Sequence, residues 1–308
     1  MKKFKSQKRQ QMRRREFIIL LFIIVSFSFF LSYFSSIFAK SEVLQWLVES
    51  SVLKEDTPVK TKTDVLDFLL DYTIGRQNIE DEIYDGKSSR QEYIPDPKPE
   101  DNQAHPLIYI YNTHQGEEYK ESQTQEYNVI PTVMLASYYL REKLNAQGLQ
   151  TIVENNRISE VLRIHQWNYA SSYQASKLLM QDAYTKNPSL QYFFDLHRDS
   201  ISYENSTLEM NGKKYAKILF VIGIEHDGYE KNLEFAQNLS DAMNQIVPTI
   251  SRGILKKGGA GVNGIYNQDF SSTTLLFELG GEYNCMEEIS NTIDVLSQVL
   301  KEEIKNGE

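Results

Sequence analysis

Two patterns of apolar residues divide the chain. Phe17 to Ala39 is a continuous run of 23 uncharged residues rich in Ile, Leu and Phe, long enough to cross a hydrocarbon core of about 30 Å at about 1.5 Å per residue. From Leu107 onward, short apolar runs alternate with helical periods. Leu107 to Tyr111 predicts a strand, and Val129 to Gln147 predicts a helix ended by Gly148, the residue that most easily takes the left-handed position after a C-cap. Leu149 to Val153 predicts a second strand. Val161 to Tyr184 has helical spacing, and after Pro188 the run Leu190 to Leu196 predicts a third strand. Asn211-Gly212 between Thr207–Met210 and Lys213–Ala216 marks a hairpin, and Lys217 to Gly223 continues as a core strand. Tyr229 to Val247 predicts a helix stopped by Pro248, and Thr273 to Leu279 the last strand. Asn284, with Glu287 three residues on, predicts the capped start of a closing helix that runs to Lys305. Strand and helix alternating in this way imply an α/β fold, with a mostly parallel twisted sheet flanked by helices and an N-terminal transmembrane helix ahead of it.

Residues 40–106 lie between the two regimes and read as an extracytoplasmic stalk or linker. The alternating prolines of Pro95-Asp96-Pro97-Lys98-Pro99 resist both helix and sheet and favour an extended spacer. The expected organisation is a basic cytoplasmic tail over 1–16, a transmembrane helix over 17–39, the stalk over 40–106 and a folded domain over 107–308. The tail holds eight Lys or Arg and one Glu, a charge of +7, which sets the N-terminus in the cytoplasm and everything after the span outside. The apolar run is longer than the roughly 7–15 residues of a signal-peptide core, and Ile37-Phe38-Ala39 is a poor small-x-small cleavage site, so the anchor is expected to stay. The net charge is −9, which leaves −16 on the rest of the chain. An acidic body argues against a nucleic-acid partner. The single cysteine, Cys285, excludes an intrachain disulfide framework. An anchored, extracytoplasmic domain on a stalk suits a wall substrate and equally suits a partner-binding ectodomain.

In sheets of this kind, ligands bind beyond the carboxyl ends of the strands. Three polar clusters stand there: Thr113-His114-Gln115-Gly116-Glu117 after the first strand, Asp195-Leu196-His197-Arg198-Asp199 closing the third, and Phe277-Glu278-Leu279-Gly280-Gly281 closing the last. Two histidines and a carboxylate are a common zinc set with the fourth position open to water. His114, Glu117 and His197 are the expected ligands of one zinc ion per chain, and Glu278 the general base. Asp195 is placed to orient a ligand imidazole, on the same face as His197 only if the strand persists that far. Arg198 suits a substrate carbonyl or carboxylate, and Asp199 is a second outer carboxylate. Each cluster alone also reads as ordinary structure: a chance His-x-x-Glu, a surface turn with internal ion pairs, a buried ion-pair partner. Their joint position at strand ends favours the site. His105, His165 and His226 read as structural or solvent-facing. The 19 tyrosines are expected mainly in the core, and Gly258-Gly259-Ala260-Gly261 lacks the phosphate-binding endings and reads as a loop.

The segments Tyr111 to Tyr119, Asp195 to Asp199, and Leu276 to Gly281 with Asn284, in this order after a membrane anchor, resemble the stage II sporulation protein P family. The resemblance covers residues 107 to about 300 and rests most heavily on Asp-Leu-His-Arg-Asp. It implies a zinc amidase or carboxypeptidase-like fold and a zinc-dependent N-acetylmuramoyl-L-alanine amidase that cuts peptidoglycan between muramic acid and the stem peptide. It further implies action on peptide cross-links and a glycan-cleaving partner during engulfment. Gln115-Gly116-Glu117-Glu118 departs from the serine-bearing stretch usual after the first histidine, and Arg163 to Tyr173 matches loosely. Related wall amidases place the carboxylate ligand farther along the chain, which makes Glu126 the alternative to Glu117. A zinc carboxypeptidase, a peptide deacylase and an inactive wall-binding scaffold are the other readings of the same residues.

Overall fold

The computed structural model describes residues 93–96, 98, 105–121 and 130–307. All of them belong to the second of the two units into which the chain divides, Lys60–Glu308. The expected span over 17–39, most of the stalk and Glu126 lie outside the described residues. Among the described residues, no helix is long and apolar enough to cross a membrane.

Six strands form the central sheet: β1 (Ile108–Tyr111), β2 (Thr151–Val153), β3 (Tyr192–Asp199), β6 (Ile218–Gly223), β7 (Ser251–Lys257) and β8 (Thr274–Gly281), in the order β2-β1-β3-β8-β6-β7. Every neighbouring pair is parallel except β6 against β8. β1, β2, β3 and β8 therefore end on one edge. The hairpin of β4 (Thr207–Met210) and β5 (Lys213–Ala216) is a separate two-stranded sheet, turning through Asn211 and Gly212 at φ 55° and 73°. Its helices are α1 (Val133–Ala146), α2 (Ile158–His165), α3 (Ser172–Lys186), α4 (Tyr229–Ile246) and α5 (Met286–Gly307).

Alternation along each strand sorts the two faces. Phe194, Leu196, Phe220, Ile222, Leu275, Phe277 and Leu279 pack with the apolar sides of α1, α4 and α5. On the opposite face, Tyr109, Tyr111 and Phe193 pack with Met180 and Ala183 of α3. Asp195 and His197 share that second face, because β3 persists to Asp199.

Several elements differ from the expected pattern. The helix expected over Val161 to Tyr184 is broken: α2 ends at His165, Gln166 turns left-handed at φ 57°, and the Trp167 N–H closes back on the Leu162 carbonyl at 2.9 Å. Asn168 then starts a new turn, Tyr169–Ser171, by accepting from the Ala170 N–H at 3.0 Å. Strand β7 has no counterpart in the apolar pattern. It is an edge strand with one adjacent apolar pair, Ile254-Leu255, and a left-handed Gly253 at the register shift against β6. Asn284 does not cap α5. Its Oδ1 accepts from the Gly281 N–H at 2.8 Å, and Glu288 rather than Glu287 accepts from the Cys285 N–H at 3.3 Å. Gly280, at φ +67°, is needed for that turn, since a Cβ there would stand 2.9 Å from Asn284 Oδ1.

The end of the proline-rich segment joins the folded body. Ile94 and Asp96 are each 1% exposed, the Tyr138 hydroxyl donates to the Ile94 carbonyl at 2.7 Å, and the Tyr93 hydroxyl to the Asn155 carbonyl at 2.7 Å. Asp96 forms a two-pronged ion pair with the fully buried Arg141 of α1, one arm at 2.9 Å. Removing one member of a buried pair leaves an uncompensated charge. Asp96→Ala is therefore expected to lower unfolding stability by about 3–5 kcal/mol. A shift in the urea midpoint worth less than about 1 kcal/mol would show that the pair holds nothing.

Candidate metal centre

Parallel pairing delivers the three polar clusters to one edge. Tyr111 is in register with Asp195, and His197 with Glu278. After β1 the chain makes a turn in which the Glu117 N–H donates to the His114 carbonyl at 3.2 Å, and Glu117 then accepts at its own carbonyl from the Val133 N–H at 3.0 Å. His114 and Glu117, three residues apart, are thereby folded toward each other and fastened to the start of α1.

His114, Glu117 and His197 form a group whose ligand atoms all lie within 4.8 Å of one another. His114 Nδ1 is 3.3 Å from Glu117 Oε1, and His197 Nδ1 is 3.4 Å from Glu117 Oε2. Ligand bonds of about 2.0–2.1 Å in a tetrahedral arrangement put donor atoms about 3.3 Å apart, close to the spacing of each imidazole from the Glu117 carboxylate. The donor set of two imidazoles and one carboxylate fits zinc as well. Behind His197, Asp195 Oδ1 stands 3.0 Å from Nε2, at an approach too oblique for a well-formed hydrogen bond. Asp195 is fully buried and is itself held by the Thr113 N–H at 2.9 Å and the Thr113 hydroxyl at 2.6 Å. A carboxylate in this place fixes the ring's orientation and raises its basicity.

The electrostatics follow from that packing. Burial pushes the Glu117 carboxyl up, but the His197 charge and hydrogen bonds from His114, His197 and the Arg198 N–H outweigh it and hold Glu117 well below the usual carboxylate range. Burial likewise opposes charge on His197, yet Asp195 and Glu117 hold its pKa well above the ordinary imidazole value. Glu278 moves the other way: burial raises it. Its Oε2 is buried without a hydrogen-bond partner. Such a carboxylate is costly unless it has a use. Burial, followed by the charges of Asp195, Tyr266, Glu278 and Glu117, also keeps the Tyr173 phenol protonated far above its ordinary value.

Arg198 braces the turn. Its N–H donates to Glu117 Oε2 at 3.0 Å and its Nε to the Glu118 carbonyl at 2.9 Å. Asp199 accepts from Arg252 at 2.6 Å and from the Ser200 N–H at 2.7 Å, away from the two imidazoles. A cavity of about 390 Å³ opens over the turn, walled by His114, Glu117 and Arg198 on one side and by Ile158, Leu162 and Tyr169 on the other. Glu278 is not part of that wall; it stands next to His197, one strand over.

Pattern reading did not single out Gln115, Tyr169 or Tyr173. Gln115 ties the turn to α2, accepting from the Ile158 N–H and donating to the Asn156 carbonyl, both at 2.9 Å. Tyr169 stacks on His114 at 5.1 Å. The Asn168 cap was the one signal that could have placed it. His105 is exposed, His165 stacks on Trp167 at 4.4 Å, and His226 Nδ1 stands 3.2 Å from the Asp227 carbonyl. The glycine-rich loop is pinned by Glu225, which accepts from the Gly259 N–H at 2.6 Å.

Comparison with known proteins bears on the same residues. The chain is similar to stage II sporulation protein P of Bacillus subtilis (strain 168), 33% identical over 202 residues that cover 64% of this chain and 50% of that protein. The match thus spans half the length of the curated relative. Among solved structures, the N-acetylmuramoyl-L-alanine amidase of Clostridium difficile 630 aligns over 66% of this chain and 97% of its own, with 15% identity and a TM-score of 0.38. The family described as Stage II sporulation protein P matches residues 40–301, a stretch that takes in every strand and the whole His114, Glu117 and His197 cluster. On that match the chain belongs to the stage II sporulation protein P family.

Proposed function

We propose that this chain is a membrane-anchored, zinc-dependent peptidoglycan amidase that cleaves the bond between N-acetylmuramic acid and the L-alanine of the stem peptide. The observation that carries the reading is the convergence of His114, Glu117 and His197 beside Glu278, whose Oε2 is buried without a hydrogen-bond partner. The two imidazoles, through Nδ1, and the Glu117 carboxylate hold the metal, and Asp195 holds His197 in place. Bound zinc supplies Lewis acidity, lowering the pKa of water to about 7 and polarising a carbonyl. Glu278 takes a proton from water attacking the lactyl carbonyl carbon and passes it to the departing nitrogen. The C–O bond forms first, moving negative charge onto the carbonyl oxygen, and the C–N bond breaks as the nitrogen receives the proton, leaving a lactyl carboxylate and a free alanine amine. Ile158 and Leu162 give the cavity an apolar wall for the small methyl groups flanking that bond.

A carboxypeptidase would need a free cation for its substrate's terminal carboxylate. Arg198 lines the cavity with its Nε on the Glu118 carbonyl, and the Arg252 guanidinium is paired with Asp199. One such cation alone does not decide between the two, and the preference for an internal amide rests on the family. The family and the acidic, anchored organisation support action outside the membrane during sporulation, alongside an enzyme that opens the glycan.

The test is incubation of purified full-length chain in detergent with isolated peptidoglycan. New alanine amino termini and soluble stem peptides are expected, lost with a chelator and restored by zinc. New reducing sugar ends without alanine amines, or activity indifferent to chelation, would defeat the reading.

A further inference from the structure

Tyr173 stands on the first turn of α3, over both imidazoles of the candidate centre. Its ring lies edge-on to His114 (5.7 Å between centroids, 68°), nearly parallel to His197 (6.3 Å, 21°) and edge-on to Tyr266 (5.3 Å, 81°). Its carbonyl accepts from the Ser176 hydroxyl and from Asn267 Nδ2, each at 3.1 Å. Ring and backbone are thus fixed from several sides. The hydroxyl is the unengaged part: among the described residues it makes no hydrogen bond. Tyr109, on the same face of the sheet, donates to Glu154 at 2.5 Å, and Tyr119, in the core on the other face, to the Leu279 carbonyl at 3.0 Å. A phenol held this firmly beside a reactive cluster, with its donor unspent, suggests a partner that arrives with substrate.

The other polar groups around it narrow what that partner is. Glu117, Glu278 and Asp195 are acceptors, and the Arg198 Nε is already turned to the Glu118 carbonyl. Tyr173 is a neutral donor, protonated throughout the working range because a phenol has a pKa of about 10. We propose that Tyr173 is a catalytic residue whose hydroxyl donates a hydrogen bond to the scissile carbonyl oxygen as negative charge develops on it. This rests on the amide-hydrolase reading above. A donor aimed at that oxygen gains strength as the charge grows, so it accelerates turnover more than it tightens substrate.

Tyr173→Phe keeps the ring and its three aromatic contacts and removes only the hydroxyl. In the full-length, zinc-loaded chain it is expected to lower kcat by about 10²-fold, the scale of one lost oxyanion donor, with KM and zinc content unchanged. Affinity for a phosphinate isostere of the muramoyl-alanine amide should fall by a similar factor, and affinity for the released stem peptide should not. Tyr266→Phe, its neighbour, should keep wild-type kcat. If wild type cleaves and Tyr173→Phe matches it in kcat and phosphinate affinity, or loses phosphinate and product affinity equally, this inference falls alone. A wild-type chain that neither cleaves nor binds the phosphinate overturns the amidase reading and this inference together.

Discussion

His114→Ala and His197→Ala are each expected to abolish zinc binding and, with it, release of stem peptides. Each removes one of three protein donors spaced 3.3–3.4 Å across the Glu117 carboxylate, and metal affinity at such sites depends on the full donor set. His114 is the cleaner variant. Its ring is partly exposed and its removal costs chiefly the stack with Tyr169. His197 is 3% exposed, so its truncation also leaves a buried void and takes a charge partner from Asp195, and a melting curve must accompany that measurement. Metal analysis reads the outcome, and full zinc occupancy in either variant would remove that histidine from the ligand set. A pH dependence follows from the same contacts. In the metal-free chain Asp195 and Glu117 hold the pKa of His197 above its ordinary value, burial opposing. The stabilisation from this charge is complete below the unfolded value of about 6.5 and is lost as pH rises through the folded one. Zinc needs the neutral ring, so its affinity should climb over that same window, with a proton released on binding.

Glu278→Gln is expected to lose about 10²–10⁴ in turnover rate while keeping zinc and fold intact. The amide preserves the shape and hydrogen-bonding reach of the side chain and removes only its basicity, so it separates proton transfer from packing. Glu278 is in register with His197 and has one buried oxygen with no partner, which suits the proposed role of a base. Because burial raises its pKa above the ordinary carboxylate value, the wild-type rate should rise with pH through that raised value, and the Gln variant should lack this limb. Lost zinc in Glu278→Gln would make Glu278 a ligand. Retained activity would transfer the base role to Glu118 or another nearby carboxylate.

How much of this was legible depended on burial. Strands β1, β3 and β8 are covered on both faces near their middles, so their sequences run apolar, and the polar residues that interrupt them stand out. That is why His114, His197 and Glu278 could be brought to one edge by strand order alone. The antiparallel β6 leaves this logic intact because it carries none of the three. Edge strand β7 gave little apolar pattern because most of its side chains are only partly buried or exposed. The break at Gln166 was hidden because a non-glycine residue took the left-handed turn, and the helical spacing of apolar residues resumes on the far side. Tyr173 showed only as the end of a loosely matching segment, since one tyrosine among 19 acquires meaning only when α3 lays it across two imidazoles. Asp96 was obscured by its prolines, whose extended preference holds locally but does not say whether the extended chain lies in solvent or against α1.

The way residues 93–96 are fastened sets the order in which mechanical load would enter the domain. Tension along the chain from the side of Tyr93 meets the Tyr93–Asn155 contact, the buried Ile94 and the Asp96–Arg141 ion pair before it reaches Ile108. These fastenings transmit it to α1 and to the segment after β2, both anchored in the packed body. β1 carries the His114 turn directly at its far end, so a pull on β1 itself would displace this proposed ligand by as much as the strand slipped. With the ion pair upstream acting as a strain relief, a pull on the chain from the side of Tyr93 would be taken up by α1 before it could draw the turn of His114 and Glu117 out of register.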